Sequence, residues 1–472
     1  MKIRLYNSLA LRRLLRPVNR RIRYRRYGLL ILVCVFLTLF VNGLHRIYNG
    51  ETLFFNTQII PYYLIEKNYM QLKPLSTNDL IDIWNEKDEY KKVKDASSAY
   101  KVIKENARSR EYLNKTNYLI YEFTKFNHNT KYCHLFNEPY EEDISNFYLH
   151  DCPVKNCIFT CDKNSTNEAD ALLFSEHDLR DALMTANVNE LPISIQSRNP
   201  QQIWALWNTN EAKLSPVEYD QYKFNWTISY RQDSEVSDCN TGCVFSSKEY
   251  THIKQENIIK SHQKSIESEF DRRENQLVFL VNDECLLTAP LTLALELDYS
   301  VLYKGKCKNP NSQSIPRLFH QHLGKSPISC DYGSYCEKEA LLSSKFILIY
   351  QAANCKDNIK NMFWRALDFG IIPVVMYPEK IYYEKFAPKN SYIHAEDFNF
   401  SADNLGDYLK KVSDSYLLYL DYFKWKFSLN TVSDKLYTEQ RLMCEFCYKL
   451  NNESSVIYYD SLLKWFNNDC KK

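Results

Sequence analysis

Glycine is scarce, with nine residues among 472. Loops that cradle phosphate with successive backbone amides need glycine at several close positions. A Walker-type or classical dinucleotide loop is therefore excluded as the basis of any nucleotide site. A body-wide excess of positive charge is missing too. Ten of the 60 Lys and Arg fall in residues 1–27, which hold no acid, leaving 50 against 58 Asp and Glu. That mildly acidic remainder gives nucleic acid little electrostatic footing. Wholesale disorder is excluded in turn, because 45% apolar and 14% aromatic residues bury enough surface to offset chain entropy. The length suffices for two domains with cores of their own.

What is present begins with an uncharged apolar run, Gly28–Leu44, directly after the basic block. Its length is at the lower limit for crossing a bilayer, and the flanking positives are expected to stay cytosolic. A cleaved leader is the rival reading, but no small-x-small site follows at Asn42–Tyr48. The expected plan is a cytosolic tail over 1–27 and a signal anchor over 28–44. A stem over 45–130 follows, with the charged stretch Asn85–Tyr112 read as a solvated helix, and the large carboxyl portion is lumenal. Cys34 lies in the anchor, and the other 14 of the 15 cysteines form an even set in an oxidising compartment. Disulfides follow from that, without connectivity. Cys444-x-x-Cys447 could be half a zinc site or a redox pair, and structural disulfide use is the favoured reading. Asn114, Asn164, Asn225, Asn399 and Asn452 each begin a glycosylation sequon.

The compact portion alternates strands and helices. Ile158–Thr160, Ala171–Phe174 and Gln202–Trp207 read as strands of a first domain over 131–270. Glu176, His177 and Asp178 read as a solvated loop after one of them. Leu277–Asn282, the helix Leu291–Leu297 and the strand Tyr299–Tyr303 open a second domain over 271–465. The densest signal is Lys345–Met376: a strand at Phe346–Tyr350, helical spacing across Asp357–Phe369, a stop at Gly370 and a buried strand at Ile371–Met376. In such a βαβ unit the turn Tyr350–Asp357 lies beyond a strand's carboxyl end, where open α/β sheets hold ligands. His320 and His322 lack a third ligand at metal spacing and read as surface residues.

This unit resembles the α1,3-fucosyltransferase family. It keeps Cys355, Asp357, Ile359, Phe363, Trp364, Ala366, Leu367, Gly370, Pro373, Val374 and Val375 of that pattern. Further blocks agree: Cys152, Pro153, Cys157, Phe159, Thr160 and Asp162; Ala169, Asp170, Ala171 and Phe174; and Phe224–Glu235, the strongest local match. Tyr303-Lys304-Gly305-Lys306-Cys307 is similar to another element, one residue longer. The resemblance spans roughly residues 150–465. It implies an α/β GT-B fold, two Rossmann-like domains facing a cleft, in a Golgi membrane protein. The implied activity is inverting transfer of fucose from GDP-fucose to the 3-hydroxyl of N-acetylglucosamine in a glycan, without an obligatory metal or other cofactor. Glu211 is the candidate catalytic base, one residue later than the family's Glu, whose aligned place is taken by Asn210. The candidate donor-binding residues are Arg231, Lys304, Tyr350, Gln351, Asp357, Asn358 and Asn361, with Arg231 expected to pair two phosphate oxygens.

The family's donor motif is altered here. Its Phe-Glu-Asn-Ser becomes Tyr350-Gln351-Ala352-Ala353, and its Thr-Glu-Lys becomes Lys360-Asn361-Met362. A ribose acceptor and a phosphate cation are thereby replaced, with Lys356 or Lys360 as substitutes. Two other readings stand beside the transferase: a silent relative binding glycans or partner transferases, and a transferase using another nucleotide sugar.

Overall fold

The computed structural model describes residues 78, 80–85, 100–104, 107–124, 152–185, 198–208, 219–246, 252–281, 289–305, 330–349, 351 and 353–471. The tail at 1–27, the apolar run at 28–44, Glu211, Tyr350, His320 and His322 all lie outside them. No helix among the described residues is long and apolar enough to cross a membrane.

Two five-stranded parallel sheets organise residues 72–472, which form one unit. The first has the order Cys157–Thr160, Tyr118–Glu122, Ala171–Ser175, Ile203–Trp207 and Trp226–Ile228. Its central strands are continuous apolar runs buried on both faces, as parallel sheets require. The second has the order Ile393–His394, Ile372–Val375, Ser344–Leu348, Glu274–Val281 and Val301–Gly305. Two parallel sheets, each with its own core, match the expected α/β architecture.

The boundaries differ from expectation at both ends of the first lobe. Tyr118–Glu122, counted with the stem, lies in the sheet between Cys157–Thr160 and Ala171–Ser175, with Tyr118 and Ile120 fully buried. Within the stretch read as a solvated helix, Lys101–Lys104 is a strand, and Arg108 is buried with its Nη1 donating to the carbonyls of Leu450 and Glu453. Local charge density hid these contacts because the partners lie more than 300 residues away.

The chain also returns. The helix Lys435–Asn452, placed with the second domain by sequence order, packs Leu442, Met443, Phe446 and Leu450 into the first lobe's core. Val456–Tyr459 then pairs antiparallel with Lys101–Lys104. Cys444 and Cys447 bond not to each other but to Cys152 and Cys157, stapling the returning helix to the first lobe. The outgoing and returning crossings run as an antiparallel pair, Cys243–Ser246 against Leu429–Val432.

The central unit is shorter than its periodicity suggests. The helix runs over Asn361–Phe369, because Asp357 is left-handed (φ 59°) and Lys360 is the N-cap residue. Gly370 ends it at φ 67°, its amide donating back to the carbonyls of Ala366 and Leu367, a conformation glycine adopts without strain.

Candidate functional site

The turn after the central strand Ser344–Leu348 is held from three directions. Within it, Gln351 donates through Nε2 to the carbonyls of Ala353 (3.1 Å) and Asn358 (2.7 Å). From the C-terminus, Cys470–Lys471 pairs with Asn354–Cys355, and Cys355 is disulfide-bonded to Cys470. From the first lobe, the amide of Gln232 donates to Asp357 Oδ2 at 3.2 Å. Residues 229–234, the turn 351–361 and the tail at 469–471 therefore meet.

Arg231 sits at this junction, 1% exposed, and is spent on protein. Its Nε and Nη2 fork onto the Oδ1 and Oδ2 of Asp233, each at 2.9 Å, Nη2 also reaches Asp469 at 2.9 Å, and Nη1 donates to the carbonyl of Phe466. The guanidinium lies 4.5 Å from the centre of the Trp465 ring. Burial alone would depress its pKa, but the hydrogen bonds and charges of Asp233 and Asp469 outweigh burial and raise it. Burial pushes Asp233 up as well, yet Arg231, with Lys101 and Lys356 adding to it, holds that carboxyl well below its usual range. Sequence reading expected Arg231 to grip diphosphate. In this structure all three guanidinium nitrogens are engaged by Asp233, Asp469 and the Phe466 carbonyl.

Asp357 titrates the other way. Burial pushes its carboxyl up to about 6, only partly offset by the Gln232 amide and the Lys356 charge. Its Oδ1 is buried without a hydrogen-bond partner, and so are Gln351 Oε1, Asn358 Nδ2 and Asn361 Oδ1. Four such atoms within eleven residues are hydrogen-bonding capacity that the protein itself leaves unfilled. Lys356, a proposed stand-in for the family's Lys, is buried among these carboxylates. Lys360 is half-buried at the N-cap and makes no side-chain cap bond.

The remaining candidates are scattered. Lys304 lies on the edge strand Val301–Gly305, two strands from the turn, paired with Glu339 at 2.6 Å. Asn361 donates through Nδ2 to the carbonyls of Thr241 (2.9 Å) and Ser433 (3.0 Å). Glu176, His177 and Asp178 are the first turn of the helix Glu176–Thr185 rather than a solvated loop, and Glu176 is buried against Tyr219 at 2.6 Å. His394 is fully buried, with Nε2 3.0 Å from the Pro378 carbonyl and Nδ1 accepting from the Glu396 amide. Sequence reading missed Asp469 and Trp465. The one signal towards them was a cysteine, Cys470, left two residues from the end. No cluster of His, Cys, Asp and Glu among the described residues could hold a metal ion.

Comparisons with known proteins bear on this site. Residues 128–240 match the family model "Fucosyltransferase, N-terminal", and residues 304–465 match "Glycosyltransferase family 10 (fucosyltransferase) C-term". A 4-galactosyl-N-acetylglucosaminide 3-alpha-L-fucosyltransferase of Hylobates lar is 33% identical over 320 residues, 66% of this chain and 73% of that one. A protein of the same activity from Mus musculus is 24% identical over 324 residues, 67% and 76% of the two chains. A solved alpha1,3-fucosyltransferase with GDP overlays at 13% identity and a TM-score of 0.40, covering 75% of this chain and 96% of that one. The fold is accordingly read from the two parallel sheets themselves. With the amino- and carboxyl-terminal halves of one family matched in order, the chain belongs to glycosyltransferase family 10, the fucosyltransferases.

Proposed function

We propose that this chain transfers fucose from GDP-fucose to the 3-hydroxyl of N-acetylglucosamine in glycoprotein or glycolipid glycans, inverting the sugar carbon, as a type II protein of the Golgi membrane. The single observation that carries the donor assignment is the turn 351–361: four buried, unfilled hydrogen-bonding atoms after the central strand of a parallel sheet, in the half of the chain that matches the family's carboxyl-terminal model. The acceptor class rests on the relatives, whose names specify 4-galactosyl-N-acetylglucosaminide as substrate.

Chemically the reaction needs a carboxylate to take the acceptor proton, the role assigned to Glu211, and positive or hydrogen-bonding groups to stabilise the departing diphosphate. Neutral Asn361 and Met362 make this donor site less polar than the family's. The loss of a charged hydrogen bond to phosphate costs about 1.5–3 kcal/mol, so donor binding is expected to be weak rather than absent.

Isothermal titration of the full chain with GDP and GDP-fucose, followed by a glycan array with radiolabelled donor, tests the proposal. Binding of both nucleotides and fucose incorporation on N-acetylglucosamine-containing glycans are expected. No binding at millimolar concentration would remove the enzymatic reading, and binding without turnover would point to a silent glycan- or partner-binding protein.

A further inference from the structure

Cys239 and Cys243 close a five-residue loop by a disulfide, on the segment that leaves the first lobe. Its backbone is unusual at both ends, with Cys239 at φ 54° and Gly242 at φ 141°. That shape seats the loop against the first turns of the helix Asn361–Phe369 in three ways. Asn361 Nδ2 donates to the Thr241 carbonyl, and Trp364 Nε1 donates to Thr241 Oγ1 at 3.3 Å. Gly242 lies so close to the indole that an added Cβ would stand 2.5 Å from Trp364 Cβ and Cδ1, nearer than side-chain carbons approach. The same Asn361 nitrogen holds Ser433, whose hydroxyl donates to Asp368 of the same helix. Cys243 in turn pairs with Val432 in the ladder of the two crossings.

We infer that the Cys239–Cys243 loop is a brace that sets the first turn of the 361–369 helix against the first lobe, and that Asn361 is a positioning residue acting through it. The inference rests on the donor reading only for its functional consequence. Asn361 stands where the family has a Glu, an acceptor, yet in this chain its amide works as a donor to two carbonyls. The lobes are thus joined beside the donor turn by neutral hydrogen bonds and a glycine contact, with no ion pair among the three contacts. The loop adds lateral contacts to the first turn of the helix through Asn361 and Trp364.

Asn361→Asp is the decisive substitution, because it keeps the shape and removes the donor. In the full chain, hydrogen exchange over residues 355–366 should speed up by about tenfold in Asn361→Asp and in the Cys239→Ser/Cys243→Ser double variant, the scale of one or two lost neutral hydrogen bonds. Exchange in the strand Glu274–Val281 should not change. GDP should bind about tenfold more weakly to Asn361→Asp than to the wild type. If exchange over residues 355–366 stayed at the wild-type rate in Asn361→Asp, whatever happened to GDP binding, the Nδ2 contacts would not restrain the turn and the inference would be overturned. Thr241→Val, which deletes only the bond to Trp364, serves as the milder variant if either of the others fails to fold, and unaltered exchange in it would equally count against the brace. A wild type that binds no GDP would sink the donor reading alone, and the exchange comparison would still decide the brace.

Discussion

Asp357 shows how one carboxyl can oppose the fold that contains it. Its folded pKa of about 6 lies above the ordinary value, so the proton is bound more tightly in the folded state. Its contribution is fully favourable below the unfolded pKa near 4 and is lost as pH rises through about 6. Asp357→Asn keeps an oxygen for the Gln232 amide and tolerates the left-handed backbone. The variant is expected to be more stable than the wild type at pH 8 by about 2–3 kcal/mol, with the gain vanishing below about pH 4. Denaturant titrations at the two pH values check this, and an equal effect at both would show that Asp357 is not protonated on folding. Asn225 provides a second test at this scale. It begins a sequon, yet it is 1% exposed, its Nδ2 donates to the Ile457 carbonyl at 3.0 Å and its Oδ1 accepts from the Trp204 amide at 2.9 Å. Asn114, Asn164, Asn399 and Asn452 are exposed. Glycopeptide mapping of the protein expressed through the secretory pathway of a eukaryotic cell should find position 225 bare, whichever of the other four are occupied. Burial of this kind is illegible in the sequon itself, because the groups that consume Asn225, the Trp204 amide, the Arg198 guanidinium and the Ile457 carbonyl, lie 21, 27 and 232 residues away.

At the scale of elements, local rules located the pieces and misjudged their ends. Apolar runs marked Ala171–Ser175, Ile203–Trp207 and Ser344–Leu348 because strands buried on both faces need them. Gly370 as a helix stop was legible for a comparable reason, since a left-handed residue after a helix is cheapest as glycine. Gly370→Ala meets nothing closer than Lys426 Nζ at 3.6 Å, so the backbone alone resists it, and a loss of about 1 kcal/mol is expected in thermal or chemical unfolding. A loss several times larger would mean that the site is crowded. The helix start was misplaced by four residues because the turn before it is held from outside: the C-terminal tail pairs with Asn354–Cys355, and the Gln232 amide donates to Asp357, whose left-handed backbone breaks the helical run.

For the molecule as a whole, the decisive feature is the return of residues 435–471 to the first lobe. Cys152–Cys444 and Cys157–Cys447 each span about 290 residues, but they lie side by side, so either one already closes the long loop. In the chain-entropy view the second bridge then closes only a short residual loop. Removing either pair by Cys→Ser substitution should cost about 2–3 kcal/mol, whereas removing both should cost about 8 kcal/mol, more than the sum of the two. Equilibrium unfolding of the single and double variants measures this, and plain additivity would show that the two bridges restrain the unfolded chain independently.

The sequence by itself determined the fold class, the family and the approximate strands, since these depend on apolar runs, breakers and motif frames that are local in the chain. Only the tertiary structure decided that Arg231 is held by Asp233 and Asp469, that Asn361 binds the Thr241 and Ser433 carbonyls, and that residues 118–122 and 435–452 share one core. Each of those facts joins segments that no periodicity connects. Hydrogen bonds and burial depend on distance in space, which chain separation does not encode.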